Sequence, residues 1–594
     1  MSIQSQTAYR PHETSLHPVA VHSLRWLETI VGLLGLGLAV TRHGREVSAA
    51  LPSLMNWLVV LAVAIPAAAT LGRYSWSLAR KSFLQQNLPP MLLSAIWLAG
   101  LVTAVGLSDG VPELLGPRLL AWTELIAMSR GVYEIYAVVR GAADAGLNPA
   151  LVLVLSFVGL IGIGTLLLML PRCRPDGELP ADWLTALFTA TSACCVTGLV
   201  VNDTSVYWSR TGHVVIMALI QVGGLGIMTF GAFFAVVMGS KLLAREHATM
   251  RDLLESEQLG DVAGLIRSIL GFTIIIELAG ACLLTTLWPD LPLLDRLFYG
   301  LFHSVSAFCN AGFALRSNNL MGWELSWQVW AVFPLLIILG GFGFTPLRNI
   351  WHVVRWRLGL LTLDPGSLRP RLTLTTRLVA VTTLGLLVVG TIVLLLLEWN
   401  NSRHPLPVTN QIANAWFHSV TLRTAGFNTI DHEHLSPGSK LFGISLMFIG
   451  ASPGSTGGGV KTISLALIIL TLRSILRGRN NVEVYGRTIP ETQVFRGLAV
   501  IGMGLATLMA ATIVVVMIED RADRFLDQAY EAASALGTVG VSANLTPTLK
   551  PASQLVLILT MLLGRVGPLT LIVALAGRGN AARYRYPEER IALG

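Results

Sequence analysis

Four short stretches of the chain are of a type and spacing to do chemistry together: CVTGL at 195–199, CNAGF at 309–313, RTAGF at 423–427 and GTVGV at 537–541. Their glycines, Gly198, Gly312, Gly426 and Gly540, follow one another at intervals of 114 residues. Glycine takes up backbone dihedrals closed to other residues, so a loop built on it can turn successive carbonyls to one side. Rings of such carbonyls replace the hydration shell of a cation. The oxygens are hard and uncharged, which suits a large monovalent ion, and nothing resembles the ring of four carboxylates of a divalent site. Similar flanks precede the motifs, LFTATSAC, LFHSVSAF, WFHSVTL and AYEAASAL, and a polar loop and a long apolar segment follow each. Equal intervals with matching flanks mark internal repetition rather than coincidence among glycine-rich segments.

The second chemical candidate is GASPGSTGGGVKT at 450–462. A phosphate-cradling loop needs G-x-x-x-x-G-K-[ST]. Gly454 and Gly459 have the separation, but Val460 intrudes before Lys461, and the flanks LFGISLMFI and ISLALIILTL are apolar. Pro453 removes a helical donor, and Gly454, Gly457, Gly458 and Gly459 make an ordered helix costly there. The stretch therefore reads as a break between two apolar segments, tolerable in a membrane only where protein buries it or water reaches it.

The elements that must position these motifs follow from composition. The chain is 53% hydrophobic and only 13% charged over 594 residues, with mean hydropathy +0.64. Soluble domains carry about 25% charged residues. Apolar runs long enough to span a bilayer recur at Ala150–Leu170, Ile266–Trp288, Leu378–Leu397 and Gly497–Ile518, against the roughly 20 residues a spanning helix needs. The stretch before each glycine motif is too short to cross, so it must dip in and return. The expected fold class is an all-α polytopic membrane protein: four pseudo-symmetric helix–pore-loop–helix repeats around one ion pathway, plus about four extra N-terminal transmembrane helices. The segments expected are a polar tail at 1–20 without a cleavable signal pattern, an N-terminal bundle at 21–145, pore repeats at 149–240, 263–352, 376–476 (with a broken second helix) and 494–577, and a tail at 578–594.

The net charge of +8 carries no nucleic-acid footprint. Segments 240–262, 348–377, 473–496 and 577–594 hold 18 Lys and Arg, while the alternate segments 171–211, 289–325, 399–440 and 519–551, longer in total, hold 11. The positive-inside rule puts the first set and the C-terminus in the cytoplasm. The outer set carries 14 Asp and Glu, a mild bias that does not repel cations. Cys173, Cys194, Cys195, Cys282 and Cys309 have no metal spacing, and no H-E-x-x-H or similar constellation points to an enzyme. His303 and His418 recur in the second and third flanks and read as packing or capping residues, not transition-metal ligands. Four helices ahead of a pore raise the idea of a voltage sensor. Arg118, Arg130 and Arg140 lack its dense every-third spacing, and Glu124 and Glu134 dilute them.

With RTAGFNTID at 423–431, SPGSTGGGVKT at 452–462 and GRVGPLT at 564–570 added, residues 150–594 resemble the Trk/Ktr/HKT superfamily of potassium transporters, nearest to its bacterial Ktr/Trk branch. VEVYGRTIPETQVFR and the tail YPEERIALG lean to the Ktr subtype. The resemblance implies a filter of Val196, Thr197, Gly198 and Leu199; Asn310, Ala311, Gly312 and Phe313; Thr424, Ala425, Gly426 and Phe427; and Thr538, Val539, Gly540 and Val541. It implies potassium as the transported ion and sodium as a candidate coupling ion, with no bound cofactor. Glycine at 198, where serine accompanies sodium permeation in the family, favours potassium. The family's mobile loop under the filter maps onto Gly450, Ser452, Pro453, Gly454, Ser455, Thr456, Gly457, Gly458 and Gly459, against the alternative of a passive kink. Lys461 is placed to snorkel to the interface or to contact that loop. Arg565, an isolated charge in an apolar segment, maps onto an arginine that holds the loop shut, the alternative being a structural carbonyl clamp. The resemblance also implies a homodimer in the bacterial cytoplasmic membrane on a separate cytosolic ring of nucleotide-binding subunits, with 348–377 and 473–496 as docking surfaces or headgroup anchors. A sodium or nonselective cation pathway of the same fold stays open, as does channel-like against ion-coupled flux.

Overall fold

The structure is a computed structural model. It describes residues 149–238, 262–359, 369–399, 407–479 and 481–567, with Thr570, and in the N-terminal region 52–77, 87–106, most of 23–38 and 122–137 and a few positions between. The expected tails at 1–20 and 578–594, the linker at 141–148 and most of 240–262 lie outside the described residues. Two compact units are formed, one within residues 1–145 and 169–181, the other within 146–168 and 182–594.

In the first unit, α1 (Pro52–Trp76) and α2 (Leu88–Gly106) pack with helical residues at 23–32 and 122–127. Val59, Val63, Trp97, Ile126 and Ala127 form the core. Beside it lies a buried ion network: Arg73 Nη1 reaches Glu28 Oε2 at 2.6 Å, and Arg130 bridges Glu134 at 3.1 Å and Glu28 at 3.5 Å. Thr29 donates to Glu134 at 3.0 Å, and Arg130 donates to Thr70 Oγ1 at 3.1 Å. Arg130 and Glu134, read from the sequence as a diluted sensor pattern, are thus each other's partners one turn apart.

The second unit holds the four repeats. The first consists of α3 (Pro149–Leu168), the short α4 (Trp183–Cys194) and α5 (Arg210–Met238). The second consists of α6 (Val262–Leu284), the short α7 (Leu293–Phe308), and a second helix in pieces, a π turn at Gln328–Val332 with α8 (Phe333–Phe342) and α9 (Phe344–Arg357). The third has α10 (Leu374–Glu398), the short α11 (Val408–Thr421), and α12 (Pro437–Phe448) separated from α13 (Thr462–Leu476). A hairpin, β1 (Val482–Val484) and β2 (Arg487–Ile489), with Val482 paired to Ile489, leads to α14 (Glu491–Glu519), the short α15 (Phe525–Gly537) and α16 (Pro551–Val566) of the fourth.

The short helices have 12, 16, 14 and 13 residues. At 1.5 Å per residue they reach about 18 to 24 Å, less than the roughly 30 Å of a hydrocarbon core. At their N-terminal ends, the Asp182 side chain accepts from Thr185 N at the start of α4, and Pro292 and Pro407 precede α7 and α11. Among the described residues five helices are long and apolar enough to cross a membrane, and the pair over 328–357, bent by 104°, makes a sixth if taken as one span. The bend lies at Gly343, where φ is +91°. The sequence reading placed a break in the third repeat alone; the second is broken as well, because one glycine takes a dihedral that ends a right-handed helix without a proline run.

Candidate ion pathway

The four glycine motifs meet. A Cβ built on Gly198 would lie 2.3 Å from Ala311 O; one on Gly312, 2.6 Å from Gly426 Cα; one on Gly426, 2.6 Å from Val539 O; and one on Gly540, 2.0 Å from Thr197 O. Each loop touches the next and the fourth returns to the first, so the loops close a ring in which no side chain fits at the glycine. All four glycines have positive φ, at +96°, +71°, +82° and +95°. Two residues earlier in every loop stands a second positive φ on a residue with a side chain: Val196 (+56°), Asn310 (+63°), Thr424 (+74°) and Thr538 (+50°). Thr197, Ala311, Ala425 and Val539 are thus each flanked on both sides by a positive-φ residue, so every loop departs from an extended path at the same place. A non-glycine residue held there costs of order 1–3 kcal/mol, and persists only where the surroundings over-determine it.

The surroundings do so through the ends of the short helices. Thr197 N donates to Ser192 O at 2.7 Å, Ala311 N to Ser306 O at 2.7 Å, and Val539 N to Ser534 O at 2.8 Å. Gly198 N and Gly540 N each donate to the hydroxyl of Ser192 and Ser534 at 3.0 Å. Ser306 Oγ donates to Phe313 O at 2.8 Å, and Thr421 Oγ1 to Phe427 O at 2.6 Å. The third loop is a residue shorter from its helix, so Ala425 N donates to Thr421 O, four residues back instead of five. Asn310 and Thr424 pair at 3.2 Å, joining the second and third loops. These hydroxyls were not picked out in the sequence, although a Ser or Thr five or six residues ahead of each glycine was in view. Glu531 in α15 was also missed. Wholly buried, it accepts from Ala543 N at 3.1 Å, from Thr546 Oγ1 at 2.7 Å and from Ser542 Oγ, and so holds the chain that leaves the fourth loop. His303 caps and packs: Nδ1 donates to Tyr299 O at 2.8 Å and Nε2 accepts from Leu315 N at 3.2 Å.

The break between α12 and α13 lies against this ring. A Cβ on Gly457 would meet Thr424 Oγ1 at 2.2 Å, and one on Gly458 would meet Thr538 Oγ1 at 2.4 Å. The segment is threaded by hydrogen bonds from every side: Ser452 N to Gly341 O (3.0 Å), Thr456 Oγ1 to Phe308 O (3.1 Å), Gly458 N to Thr538 Oγ1 (3.1 Å) and Gly459 N to Gly564 O (3.3 Å). Gly454 and Gly459 have φ of +61° and +70°. Gly450 N pairs with Val460 O at 2.9 Å, and Lys461 Nζ donates to Gly457 O at 2.8 Å, so of its two readings the contact with the loop is present.

A family model described as "TrkH: Cation transport protein" matches residues 141–582. The chain belongs to the TrkH family. Its members are ion transporters, not enzymes, and this one is a multi-pass membrane protein. The "Potassium/sodium uptake protein NtpJ" of Enterococcus hirae is 34% identical over 457 residues, covering 75% of this chain and 98% of that protein. The "Ktr system potassium uptake protein B" of Bacillus subtilis is 35% identical over 450 residues, covering 75% of this chain and 97% of the relative. The crystal structure of the potassium transporter TrkH from Vibrio parahaemolyticus shares the fold, with a TM-score of 0.55 at 18% identity over 82% of this chain and 96% of that one. The ion network of the N-terminal unit falls outside the residues that the TrkH model matches.

Within this TrkH-family chain the isolated charge of Arg565 also finds its partners here. It is buried in α16, where Nη1 donates to Thr456 O and Nη2 donates to Gly223 O at 2.6 Å and Gly224 O at 3.2 Å. A sequence signal for its place exists. The second helices of repeats one, two and four carry VGGLG, LGGFG and LGRVG at 222–226, 339–343 and 563–567, so Arg565 stands where the others have their second glycine. The first glycine of each, Gly223, Gly340 and Gly564, lets that helix cross the end of a short helix. A Cβ there would lie 2.0, 1.8 and 1.9 Å from the carbonyls of Cys194, Phe308 and Leu536.

Proposed function

We propose that this protein takes up potassium across the bacterial cytoplasmic membrane through the glycine ring, with the 450–461 loop as an intramembrane gate held shut by Arg565. The observation that carries the reading is the cyclic approach of Gly198, Gly312, Gly426 and Gly540, each too close to the next motif to admit a Cβ. Carbonyls of residues 196–199, 310–313, 424–427 and 538–541 take the place of the ion's water, and the strain at Val196, Asn310, Thr424 and Thr538 fixes their direction before an ion arrives. The loop residues Gly457 and Gly458 press on Thr424 and Thr538, so passage requires the loop to move. A homodimer, cytoplasmic basic linkers and nucleotide control from a separate cytosolic ring complete this reading. A second reading, passage of sodium as well, is favoured by the likeness to the potassium/sodium uptake protein of Enterococcus hirae.

The test is rubidium uptake and growth at low potassium in a bacterial strain lacking its own uptake systems, at matched membrane expression. Rescue by the chain, with sodium competing poorly until Gly198→Ser relaxes selectivity and with flux raised by deletion of residues 455–459, is the expected result. Equal competition by sodium in the unaltered protein selects the second reading. No uptake with a Ktr-type regulatory subunit supplied overturns the potassium assignment.

A further inference from the structure

Away from the ring, α10, α13 and the β1–β2 hairpin border an open cavity of about 960 Å³, near the upper end of small-ligand sites at about 300–1,000 Å³. Its walls are apolar, with Leu378, Val381, Leu386 and Val389 from α10 facing Ile469 and Leu470 from α13. Gly385 lies in the same wall, and nothing stands within 4 Å of a Cβ built on it. At one end the lining changes to Arg473, Arg477, Arg479 and Arg487, with Glu483 as its one carboxylate. Glu483 is taken by Arg479 at 2.8 Å. Among the described residues Arg473, Arg477 and Arg487 lie within ion-pair distance of no carboxylate.

The shape is built, not incidental. Tyr485 and Gly486 turn the hairpin with φ of +50° and +73°, the paired left-handed residues of a tight hairpin. Val482 and Ile489 then pack on Leu467 of α13, which fixes the hairpin against the helix and holds Arg487 over the slot. Arg377 lies over the Tyr485 ring at 5.5 Å and braces the turn from the α10 side.

We propose that this cavity is a binding site for an anionic phospholipid, its phosphate among Arg473, Arg477 and Arg487 and an acyl chain in the slot between α10 and α13. Three unpaired guanidiniums at the polar end of two apolar helices match a phosphodiester at the membrane interface, since arginine donors bind phosphate bidentately. An apolar slot contiguous with them matches the tail, which neither a nucleotide nor free phosphate supplies. A basic residue near an anionic lipid surface contributes about fivefold in affinity. Removing the three arginines therefore lowers affinity by on the order of a hundredfold.

The test uses the full-length protein, lipid-stripped in neutral detergent, with phosphatidylglycerol, phosphatidylcholine and inorganic phosphate as probes and native mass spectrometry as the readout. Phosphatidylglycerol is expected to bind in preference to phosphatidylcholine. The preference is expected to fall with Arg473→Gln, Arg477→Gln and Arg487→Gln together and to return when lysine is placed at the three positions. Gly385→Phe, which fills the open slot and leaves every arginine in place, is expected to weaken phosphatidylglycerol binding. Equal binding of the two lipids, full displacement by inorganic phosphate, or unchanged binding in Gly385→Phe overturns the proposal. Loss of the dimer in the triple glutamine variant with lipid preference intact also overturns it, and makes the groove a contact between copies.

Discussion

Arg565 Nη2 lies 2.6 Å from the carbonyl oxygen of Gly223, so one guanidinium of the last repeat grips the second helix of the first. Its Nη1 donates to Thr456 O in the glycine-rich break of the third repeat, and three carbonyls therefore take the place of a carboxylate as the arginine's partners. All three acceptors are neutral, so none of them cancels the guanidinium's positive charge.

Replacing Arg565 with Gln removes both the charge and the loop's anchor. A charge-assisted hydrogen bond contributes about 1.5–3 kcal/mol, and each 1.4 kcal/mol is about tenfold in an open–closed equilibrium. Rubidium flux per protein is expected to rise about tenfold or more. Flux at or below that of the unaltered protein would show that the arginine aids passage.

Gly540→Ala places a Cβ 2.0 Å from Thr197 O on a backbone with φ of +95°. Uptake is expected to vanish or lose selectivity, measured as rubidium uptake against sodium competition. Gly159→Ala, in the first helix of the same unit with nothing within 4 Å of its Cβ, is the control and keeps both. Equal effects of the two substitutions would remove the ring's special status.

Glu531→Ala deprives Ala543 N, Thr546 and Ser542 of their shared acceptor. Leaving buried donors unpaired costs about 1–3 kcal/mol each. The melting temperature is expected to fall by several degrees, with potassium selectivity weakened because the fourth loop loses its support. Glu531→Gln, which keeps an acceptor oxygen, is expected to lose less.

At the N-terminal end of α4, Asp182 has its pKa lowered from 3.8: burial pushes it up, but the hydrogen bonds from Thr185 and neighbouring backbone N–H groups outweigh this. A depressed folded pKa means the stabilisation is present above the unfolded value and is lost as pH falls through the folded one. Asp182→Asn keeps a capping oxygen without a proton to take up. Its melting temperature is expected to fall less steeply below about pH 4 than that of the unaltered protein; parallel curves would count against the cap.

Glu28→Gln in the N-terminal unit leaves Arg73 facing a neutral amide where it had a carboxylate at 2.6 Å. Breaking a buried pair from one side costs about 3–5 kcal/mol. Proteolysis of the N-terminal unit is expected to accelerate, while Arg73→Met with Glu28→Met together is milder. Equal damage from the single and double changes would make the site one of shape and not of charge.

The sequence by itself determined the repeat, the four ring glycines, the short re-entrant helices and the glycine-rich break, because each is local chemistry: a dihedral that glycine alone takes easily, a helix too short to span, a proline without a donor. The isolated charge of Arg565 was legible for the same reason, standing in an apolar run. What the tertiary structure decided is who meets whom. The cyclic order of the loops, the partners of Arg565 at 109 and 342 residues' separation, the burial of Glu531 behind the fourth loop and the pairing of Arg73 with Glu28 are contacts between distant elements. The break at Gly343 belongs there too. Its motif resembles that of the first repeat, where α5 runs on unbroken, and its bend is held by Phe344 N donating to Gly454 O at 2.9 Å, a bond to the glycine-rich break of the third repeat. Hydrophobic periodicity places a residue on a face of its own helix; only packing of several helices around one axis selects which carbonyl or carboxylate that face will find.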